Sequence, residues 1–252
     1  MTIFFRFIKS DFLKMKRQPI LLLHLLLPLL GIILFIGYFS YAPYKSTAMV
    51  MAFLQMMAIV FPILIAIVCS MAVEQESSPG DFQQMLTSWI KMLPFFSKLL
   101  VVLLLGLSAI LLLVCGFGAG FIYILHKSPF ELGYYLYVAC IFFGSSIFLY
   151  VLHLIVSLKF GNMVSIGIGI FESLLSALFI TGLGDNKWEF MPCAWGIRFS
   201  DIFSKYMSGG ISLEQNLSEL HLGICLCITG SIAITVFGLI WFLHWEGRKS
   251  GN

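Results

Sequence analysis

Six long apolar segments dominate the sequence, and short polar stretches separate them. The segments cover residues 19–42, 48–73, 95–125, 132–158, 163–183 and 220–245. A helix needs about 20 apolar residues to cross the hydrocarbon core of a bilayer, and each segment is close to this length or exceeds it. Their runs of Leu, Ile and Phe lack the alternation of a transmembrane barrel strand. The pattern predicts an all-α membrane protein with six transmembrane helices.

The composition agrees with this prediction. Of the 252 residues, 60% are hydrophobic and 11% are charged, whereas a soluble domain is about 45–50% apolar and about 25% charged. These values exclude a soluble enzyme, a disordered chain and a strongly basic nucleic-acid binder. Five of the six cysteines lie within apolar segments, and Cys193 has no partner in its loop. We therefore predict buried thiols and neither a disulfide framework nor a metal site.

The basic residues are distributed unevenly between the two sides of the predicted helices. If the N-terminus is inside, ten of the 15 Lys and Arg residues lie in inner segments and five lie in outer segments. Segments rich in Lys and Arg remain on the cytoplasmic side of a membrane. Both termini are therefore predicted to be cytoplasmic.

Residues 1–18 combine basic and apolar positions at helical spacing. The apolar positions are Phe4, Phe5, Ile8, Phe12 and Met15, and the basic ones are Arg6, Lys9, Lys14 and Arg17. A helix with these two faces lies in the headgroup plane, where anionic lipid attracts it. We predict an amphipathic interfacial helix that ends before Pro19. The alternative is that the basic residues only orient the chain.

The first inner connection, residues 74–98, is predicted to carry a short helix. Glu74 and Glu76 stand where the second apolar segment leaves the membrane, and Asp81 follows a Ser-Pro-Gly turn at Gly80 as the N-cap. The apolar side chains of this helix would share one face. They are Phe82, Met85, Leu86, Trp89 and Ile90. Pro94 would end a helix that either transmits force to a soluble partner or lies passively on the membrane.

The outer connection, residues 184–219, is the only long polar segment. Its aromatic residues Trp188, Phe190, Trp195 and Phe199 stand among acids and among the bases Lys187, Arg198 and Lys205. The two tryptophans are either anchors at the membrane interface or part of an external surface that contacts an amphipathic or peptide ligand.

We single out three polar residues within the apolar segments: Glu172, His153 and His24. Glu172 lies alone near the centre of the fifth, and Ser176 shares its helix face. A carboxylate at this depth is costly, so Glu172 either serves substrate passage or joins two helices by hydrogen bonds. His153 and His24 are predicted to be interhelical hydrogen-bond partners.

The sequence lacks the motifs of common membrane-associated enzymes. It contains no phosphate-binding G-x-x-x-x-G-K-[ST] loop, no H-E-x-x-H pair and no G-x-S-x-G elbow. We therefore predict no catalytic residues, and any ATP hydrolysis must belong to another chain.

The chain resembles the ABC-2-type permeases of ATP-binding-cassette exporters. The resemblance rests on the basic N-terminal helix, the six segments and a first inner connection that carries Glu74, Glu76, Gly80, Phe82 and Lys98. Within this family the chain is similar to small permease subunits of lantibiotic immunity and resistance transporters. This likeness lies in GIGIFESLLSALFITGLGD and in the following pattern of Trp188, Pro192, Cys193, Trp195 and Arg198.

The resemblance implies a division of the chain into an elbow helix, residues 1–18, and a six-helix transmembrane domain, residues 19–252. It implies that residues 81–92 form the coupling helix that docks on a separate ATPase, which binds the ATP and Mg²⁺. Its ATPase-coupling residues would be Glu74, Glu76, Gly80, Asp81, Phe82, Met85 and Trp89. A second similar permease is also implied, as a heterodimer or a homodimer in the cytoplasmic membrane of a Gram-positive bacterium.

These implications lead to a specific functional expectation. We expect a permease subunit that expels a cationic antimicrobial peptide from the membrane, with Glu172, Trp188, Trp195 and Arg198 on the substrate path or at its outer recognition surface. The acidic balance of the outer connection suits a basic peptide. The alternative is a stand-alone immunity or scaffold protein that binds the peptide without ATP-driven transport.

Overall fold

The structure is a computed structural model that describes residues 3–16, 18–77, 80, 82–210 and 217–248. All regular secondary structure in these residues is helical. The helices are α1 (Ile3–Met15), α2 (Ile20–Tyr41), α3 (Ser46–Ser77), α4 (Gln83–Leu86), α5 (Met92–Ala119), α6 (Leu132–Phe160), α7 (Asn162–Phe179), α8 (Pro192–Met207) and α9 (Leu217–His244). A π-helical turn, Gly120–Ile124, extends α5, and two 3₁₀ turns, Gly182–Gly184 and Trp188–Phe190, precede α8.

Six of these helices are long and apolar enough to cross a membrane, which confirms the predicted fold class. They are α2, α3, α5 with its π-helical turn, α6, α7 and α9. The ends of the helices differ from the predicted segments by up to four residues, most at the ends of α3 and α7. Helix α3 continues to Ser77 beyond its apolar segment, and α7 ends at Phe179.

The role predicted for Pro94 is wrong. It does not end the short helix after α3 but lies in the first turn of α5, where it is buried. Proline is tolerated there because the first backbone N–H groups of a helix have no partner within the helix.

Helix α6 occupies the centre of the bundle and contacts α3, α5, α7, α8 and α9. One core cluster lies where α1, the start of α5 and the end of α9 meet, here called the terminal end, and includes Phe82, Phe95 and Phe242. A second cluster, with Phe53 and Phe117 stacked at 3.7 Å, lies at the opposite end, here called the outer end. Helices α2 and α9 are the least buried of the six spans.

Helices α3 and α7 approach each other closely. A Cβ atom added at Gly169 would lie 2.6 Å from the Cβ atom of Ala66 and 3.1 Å from the Cα atom of Ile63. The Ile63 amide donates a hydrogen bond to the Ser173 hydroxyl at 3.3 Å, one residue after Pro62 in the middle of α3. Small residues allow helix backbones to approach in a membrane, so Gly169 fixes how near α7 lies to α3.

Helix α1 packs against the first turns of α5. Its predicted apolar face is divided: Met15 is fully buried, whereas Phe5 and Phe12 are exposed. Arg6 and Lys9 are exposed as predicted, and Arg17 lies outside the described residues. Helix α1 therefore contacts the bundle through one edge only.

Candidate functional site

A buried cluster of charged side chains joins α1, α3 and α5 at the terminal end. Glu76 Oε1 accepts hydrogen bonds from Lys98 Nζ at 2.8 Å and from Lys14 Nζ at 2.7 Å. Lys98 Nζ also lies 3.7 Å from the Asp11 carboxylate, to which the Ser97 hydroxyl donates. Two acids and two bases balance each other in this cluster, as buried charges require.

Asp11 was not recognised from the sequence as part of this cluster. The available signal was weak: it is the one acid of an otherwise basic helix, three residues before Lys14. Glu76 was predicted to couple the protein to an ATPase. Because Glu76 is buried and doubly paired, it can act on a partner protein only through the residues that it holds.

The segment after Glu76 is anchored in the core by two apolar side chains. The Phe82 amide donates to the Glu76 carbonyl at 3.0 Å, and the Phe82 ring contacts the Trp245 ring at 5.1 Å. Met85 is buried in the same cluster. Gly80 adopts a positive φ of 154°, which favours glycine at this turn. Asp81, the predicted N-cap, lies outside the described residues.

The predicted helix of residues 81–92 is wrong in length and in its common face. Helix α4 ends at Leu86, and the Thr87 hydroxyl then donates to the Gln83 carbonyl at 2.7 Å. The Thr87 amide donates to the same carbonyl at 2.9 Å. Phe82 and Met85 point inward, whereas Trp89 is 99% exposed. Residues 82–90, which we call the anchored loop, thus present an uncovered tryptophan at the terminal end.

Further contacts tie the anchored loop and the end of α3 to other elements. The Arg248 guanidinium lies over the Phe82 ring at 5.6 Å and donates to the Ser157 carbonyl at the end of α6 at 2.6 Å. Glu74 is exposed and accepts a hydrogen bond from the Asn162 side chain of α7 at 3.1 Å. The roles of Trp245 and Arg248 were missed, because residues so distant in sequence give no local signal for the contact.

Glu172 of α7 contacts a side chain of α6, which agrees with the predicted alternative that it joins two helices by hydrogen bonds. Its Oε2 atom lies 2.8 Å from His153 Nε2, and His153 Nδ1 lies 3.0 Å from the Ser165 hydroxyl. The predicted interhelical role of His153 is confirmed. His24 instead contacts the Ile20 carbonyl of its own helix at 2.7 Å, so that prediction is wrong.

The linear arrangement of Ser165, His153 and Glu172 has the order of a nucleophile, a base and an acid. Catalysis by such a triad requires that a substrate reach the serine hydroxyl. Ser165 and His153 are both completely buried. The arrangement therefore joins two helices and holds a carboxylate in a fixed position, and it offers no access for hydrolysis.

In the outer connection, residues 184–219, here also called the outer segment, the positions of Trp188 and Trp195 contradict both predicted alternatives. Both side chains are buried, so they neither anchor at the membrane interface nor form an exposed recognition surface. The Trp195 indole donates to the Glu189 carbonyl at 2.7 Å, and the Trp188 indole donates to Glu219 at 3.4 Å. Both fill the core between the 3₁₀ turns, α8 and α9, where their N–H groups find partners.

Arg198 caps the C-terminal end of α7 with its guanidinium group. It donates to the Phe179 carbonyl at 2.6 Å, to the Thr181 carbonyl at 2.8 Å and to the Asp185 carboxylate at 2.8 Å. Carbonyls at a helix C-terminus lack partners within the helix, and a guanidinium supplies them. Arg198 therefore has a structural role at the end of α7, and its role in recognition stays a prediction. Burial raises the pKa of the Cys193 thiol, in the first turn of α8, to about 11.

Neither a metal site nor the cavities coincide with the predicted site residues. No three His, Cys, Asp or Glu side chains within the described ranges could hold a metal ion. An apolar cavity of about 790 Å³ lies between α6, α8 and α9, and Glu172, Trp188, Trp195 and Arg198 are not among the residues that line it. The polar groups outside the cavities that could act in function are therefore those of the charged cluster and the pair of His153 and Glu172.

Comparison with known proteins agrees with this architecture. A family model described as ABC-2 family transporter protein matches residues 7–176, from α1 into α7. The chain has no match among curated proteins or among solved structures. A permease of this family is a membrane transport component that works with an ABC ATPase. With two thirds of its residues matched and six apolar helices in place, the chain belongs to the ABC-2 family of transporter proteins.

Proposed function

We propose that this chain is the permease subunit of an exporter that expels a cationic, lantibiotic-like antimicrobial peptide from the cytoplasmic membrane. It would act with a separate ATPase, which binds ATP and Mg²⁺, and with a second similar permease in a heterodimer or a homodimer. The resulting immunity or resistance would protect a Gram-positive bacterium. The similarity of the α7 and outer-segment sequence to lantibiotic permeases supports the choice of cargo.

The main support for the transport mechanism is the way in which the anchored loop is buried at its base and exposed at its tip. Trp89 is almost fully exposed at its tip, whereas Phe82 and Met85 are buried at its base. An exposed tryptophan on a soluble face is suited to bury in a partner protein, where such residues contribute much of the binding energy. A displacement of this tip would pass to the core through Phe82 and to α3 through the Glu76 carbonyl.

The bond network suggests how such a displacement would spread. Glu76 connects the loop to α5 through Lys98 and to α1 through Lys14, while Arg248 connects it to the end of α6. Closure of the ATPase upon ATP binding would then shift several helices together rather than one. Release of the peptide at the outer end would complete the cycle. The excess of Lys and Arg in the inner segments supports a cytoplasmic location for the anchored loop, where an ATPase would be available.

Trp89→Ala tests this proposal directly. Loss of a central tryptophan from an interface costs about 2–4 kcal/mol, so we expect the affinity for the ATPase to fall by more than tenfold and peptide resistance to fall with it. The measurement is co-purification of the ATPase with the full chain from membranes, combined with peptide sensitivity of the strain. Phe190→Ala is the matched control, because Phe190 is an exposed aromatic residue in the outer segment.

Three outcomes would count against the proposal. Undiminished ATPase association in Trp89→Ala would refute the docking role of the anchored loop. Resistance that persists after deletion of the ATPase would favour the stand-alone immunity or scaffold protein. Unaltered peptide sensitivity in a strain without this chain would refute the assigned cargo.

A further inference from the structure

A second cavity, of about 190 Å³, lies between the membrane-spanning helices α2, α3, α5 and α6. Of the described residues that line it, two have polar side chains, His24 of α2 and Tyr150 of α6, and none is Asp, Glu, Lys or Arg. Apolar cavities of about this size in proteins hold small apolar molecules rather than ordered water. The cavity therefore has the size and the walls that suit a small apolar ligand.

The cavity opens sideways between α2 and α3. Leu27 of α2 and Val60 of α3 line it, and each keeps more than a third of its surface exposed. Helix α2 packs mainly against α5 and less against α3. Because both helices are long and apolar enough to span the membrane, the molecules that reach this opening are those dissolved in the bilayer.

His24 supplies the first polar group of the cavity and is 9% exposed. Its Nδ1 atom contacts the Ile20 carbonyl at 2.7 Å. Its Nε2 atom has no hydrogen-bond partner among the described residues and is not one of the fully enclosed polar atoms. A carbonyl only accepts hydrogen bonds, so Nδ1 carries the hydrogen of the neutral ring and Nε2 is left as an acceptor. His24 thus offers the cavity an unpaired acceptor.

Tyr150 supplies the second polar group and is 4% exposed. Its hydroxyl lies against Gly106 of α5, where an added Cβ atom would overlap the phenolic oxygen. Gly106 also lines the cavity, so this close approach brings the hydroxyl to the cavity wall. The hydroxyl has no hydrogen-bond partner among the described residues, and its oxygen is not fully enclosed. Tyr150 is therefore able to donate a hydrogen bond to a ligand.

The two unpaired groups select the chemistry of the ligand. A buried polar group without a hydrogen-bond partner is unfavourable, and the hydrocarbon core of a bilayer supplies no water to pair with it. His24 is an acceptor and Tyr150 is a donor, and a hydroxyl is a small neutral group that can both donate and accept. A charged ligand would remain unpaired, because no acid or base of the described residues lines the cavity.

We propose that this cavity binds a small neutral alcohol that enters from the bilayer between α2 and α3. At about 30 Å³ for each water-sized group, the cavity holds about six such groups, which fits a chain of about six carbons. The hydroxyl of the alcohol pairs with His24 or Tyr150, and its carbon chain contacts the apolar walls. The site requires neither the peptide nor the ATPase, so its test is independent of the proposed function.

Photolabelling of the full chain in nanodiscs tests this site. The probes are a six-carbon alcohol that carries a diazirine and the alkane of the same length with the same diazirine. Labelling of α2 and α3 is measured by mass spectrometry over a range of probe concentrations, with hexan-1-ol as the competitor. We expect saturable labelling by the alcohol. Tyr150→Phe and His24→Phe should each raise its half-saturating concentration by about three- to tenfold, since a neutral hydrogen bond is lost. Neither should weaken labelling by the alkane.

Two exposed residues provide matched controls. Tyr137→Phe removes the same hydroxyl from an exposed position on α6. His244→Phe removes an exposed imidazole from α9 whose Nδ1 atom contacts the Ile240 carbonyl at 3.0 Å, as Nδ1 of His24 contacts Ile20. Neither control should change the half-saturating concentration of the alcohol.

Three results would overturn the proposal. Labelling of α2 and α3 that does not saturate, or that hexan-1-ol does not reduce, would show that the cavity takes up water only. Equal half-saturating concentrations in the wild type and in both Tyr150→Phe and His24→Phe would show that the polar groups do not bind the alcohol. A parallel loss of alcohol and alkane labelling would show that the hydroxyl is not the group that is recognised.

Discussion

In the charged cluster at the terminal end, Lys98 is the one Lys or Arg residue that is buried among the described residues. Its side chain is 1% exposed, and its amine contacts Glu76 at 2.8 Å, the Ala72 carbonyl at 3.3 Å and the Asp11 carboxylate at 3.7 Å. Lys98→Met removes the charge and keeps most of the length of the side chain. Asp11 and Glu76 would then share a single base, Lys14.

The cost of this change follows from the unbalanced charge. Removal of one partner from a buried ion pair destabilises a protein by about 3–5 kcal/mol. Lys14 continues to pair with Glu76 at 2.7 Å but is 30% exposed, so we expect a loss of about 3 kcal/mol, at the lower end of that range. For a chain of this size, such a loss corresponds to a fall of the melting temperature by about 6–12 °C.

The double variant Lys98→Met with Glu76→Gln makes the test sharper. Each single variant leaves one unbalanced charge in the cluster, whereas the double variant leaves Asp11 and Lys14 in balance. We therefore expect the double variant to be more stable than the sum of the two single losses predicts, by about 1–3 kcal/mol of coupling energy. The assay is thermal unfolding of the detergent-purified full chain, followed by tryptophan fluorescence.

The control is Lys9→Met, because Lys9 is exposed on α1. Surface substitutions cost about 0.5 kcal/mol or less, so this variant should change the melting temperature by less than about 2 °C. A loss below about 1 kcal/mol in Lys98→Met would refute the reasoning, since it would place Lys98 in contact with water. Strict additivity of the two single variants would refute the charge balance.

Two further predictions test helix contacts. Gly169→Val should lower the free energy of unfolding by about 1–3 kcal/mol, because its side chain would overlap α3. Gly167→Val is the control: position 167 faces open space, so its effect in the same melting assay should be much smaller. Equal effects of the two variants would contradict the close approach of α3 and α7. Arg198→Lys keeps the charge, but a lysine cannot bridge three acceptors. We expect the local stability of residues 180–190 to fall by roughly 1.4 kcal/mol, so their amide hydrogen exchange should accelerate about tenfold or more. Lys205→Arg is its control, and unchanged exchange in Arg198→Lys would contradict the closing role of Arg198.

The six spans could be predicted because a bilayer imposes a length and an apolar composition that local sequence displays. Their ends were less predictable. Helix α3 continues through Glu74 and Glu76 because the charge of Glu76 is neutralised by Lys14 and Lys98, which lie 62 and 22 residues away. Sequence shows two acids, and only the fold shows that one is buried and paired.

The candidate site residues also differ in whether local sequence alone could reveal their role. Glu172 was recognised because a carboxylate within an apolar helix is unusual in itself. The burial of Trp188 and Trp195 could not be recognised, since a tryptophan beside a membrane has the same sequence context whether it faces lipid or the protein core. For the anchored loop, an apolar period of helical spacing suggested one face, but α4 ends at Leu86, and Phe82 and Met85 are buried whereas Trp89 is exposed.

The most direct test of the account is ATP-dependent release of a labelled cationic peptide from proteoliposomes that contain this chain and its ATPase. We predict that added ATP and Mg²⁺ move the peptide from the bilayer to the medium on the outer side, that Trp89→Ala abolishes this release, and that Phe190→Ala does not. Peptide release that is equal with and without ATP, or that is unaffected by Trp89→Ala, would contradict the claim that the anchored loop couples an ATPase to export.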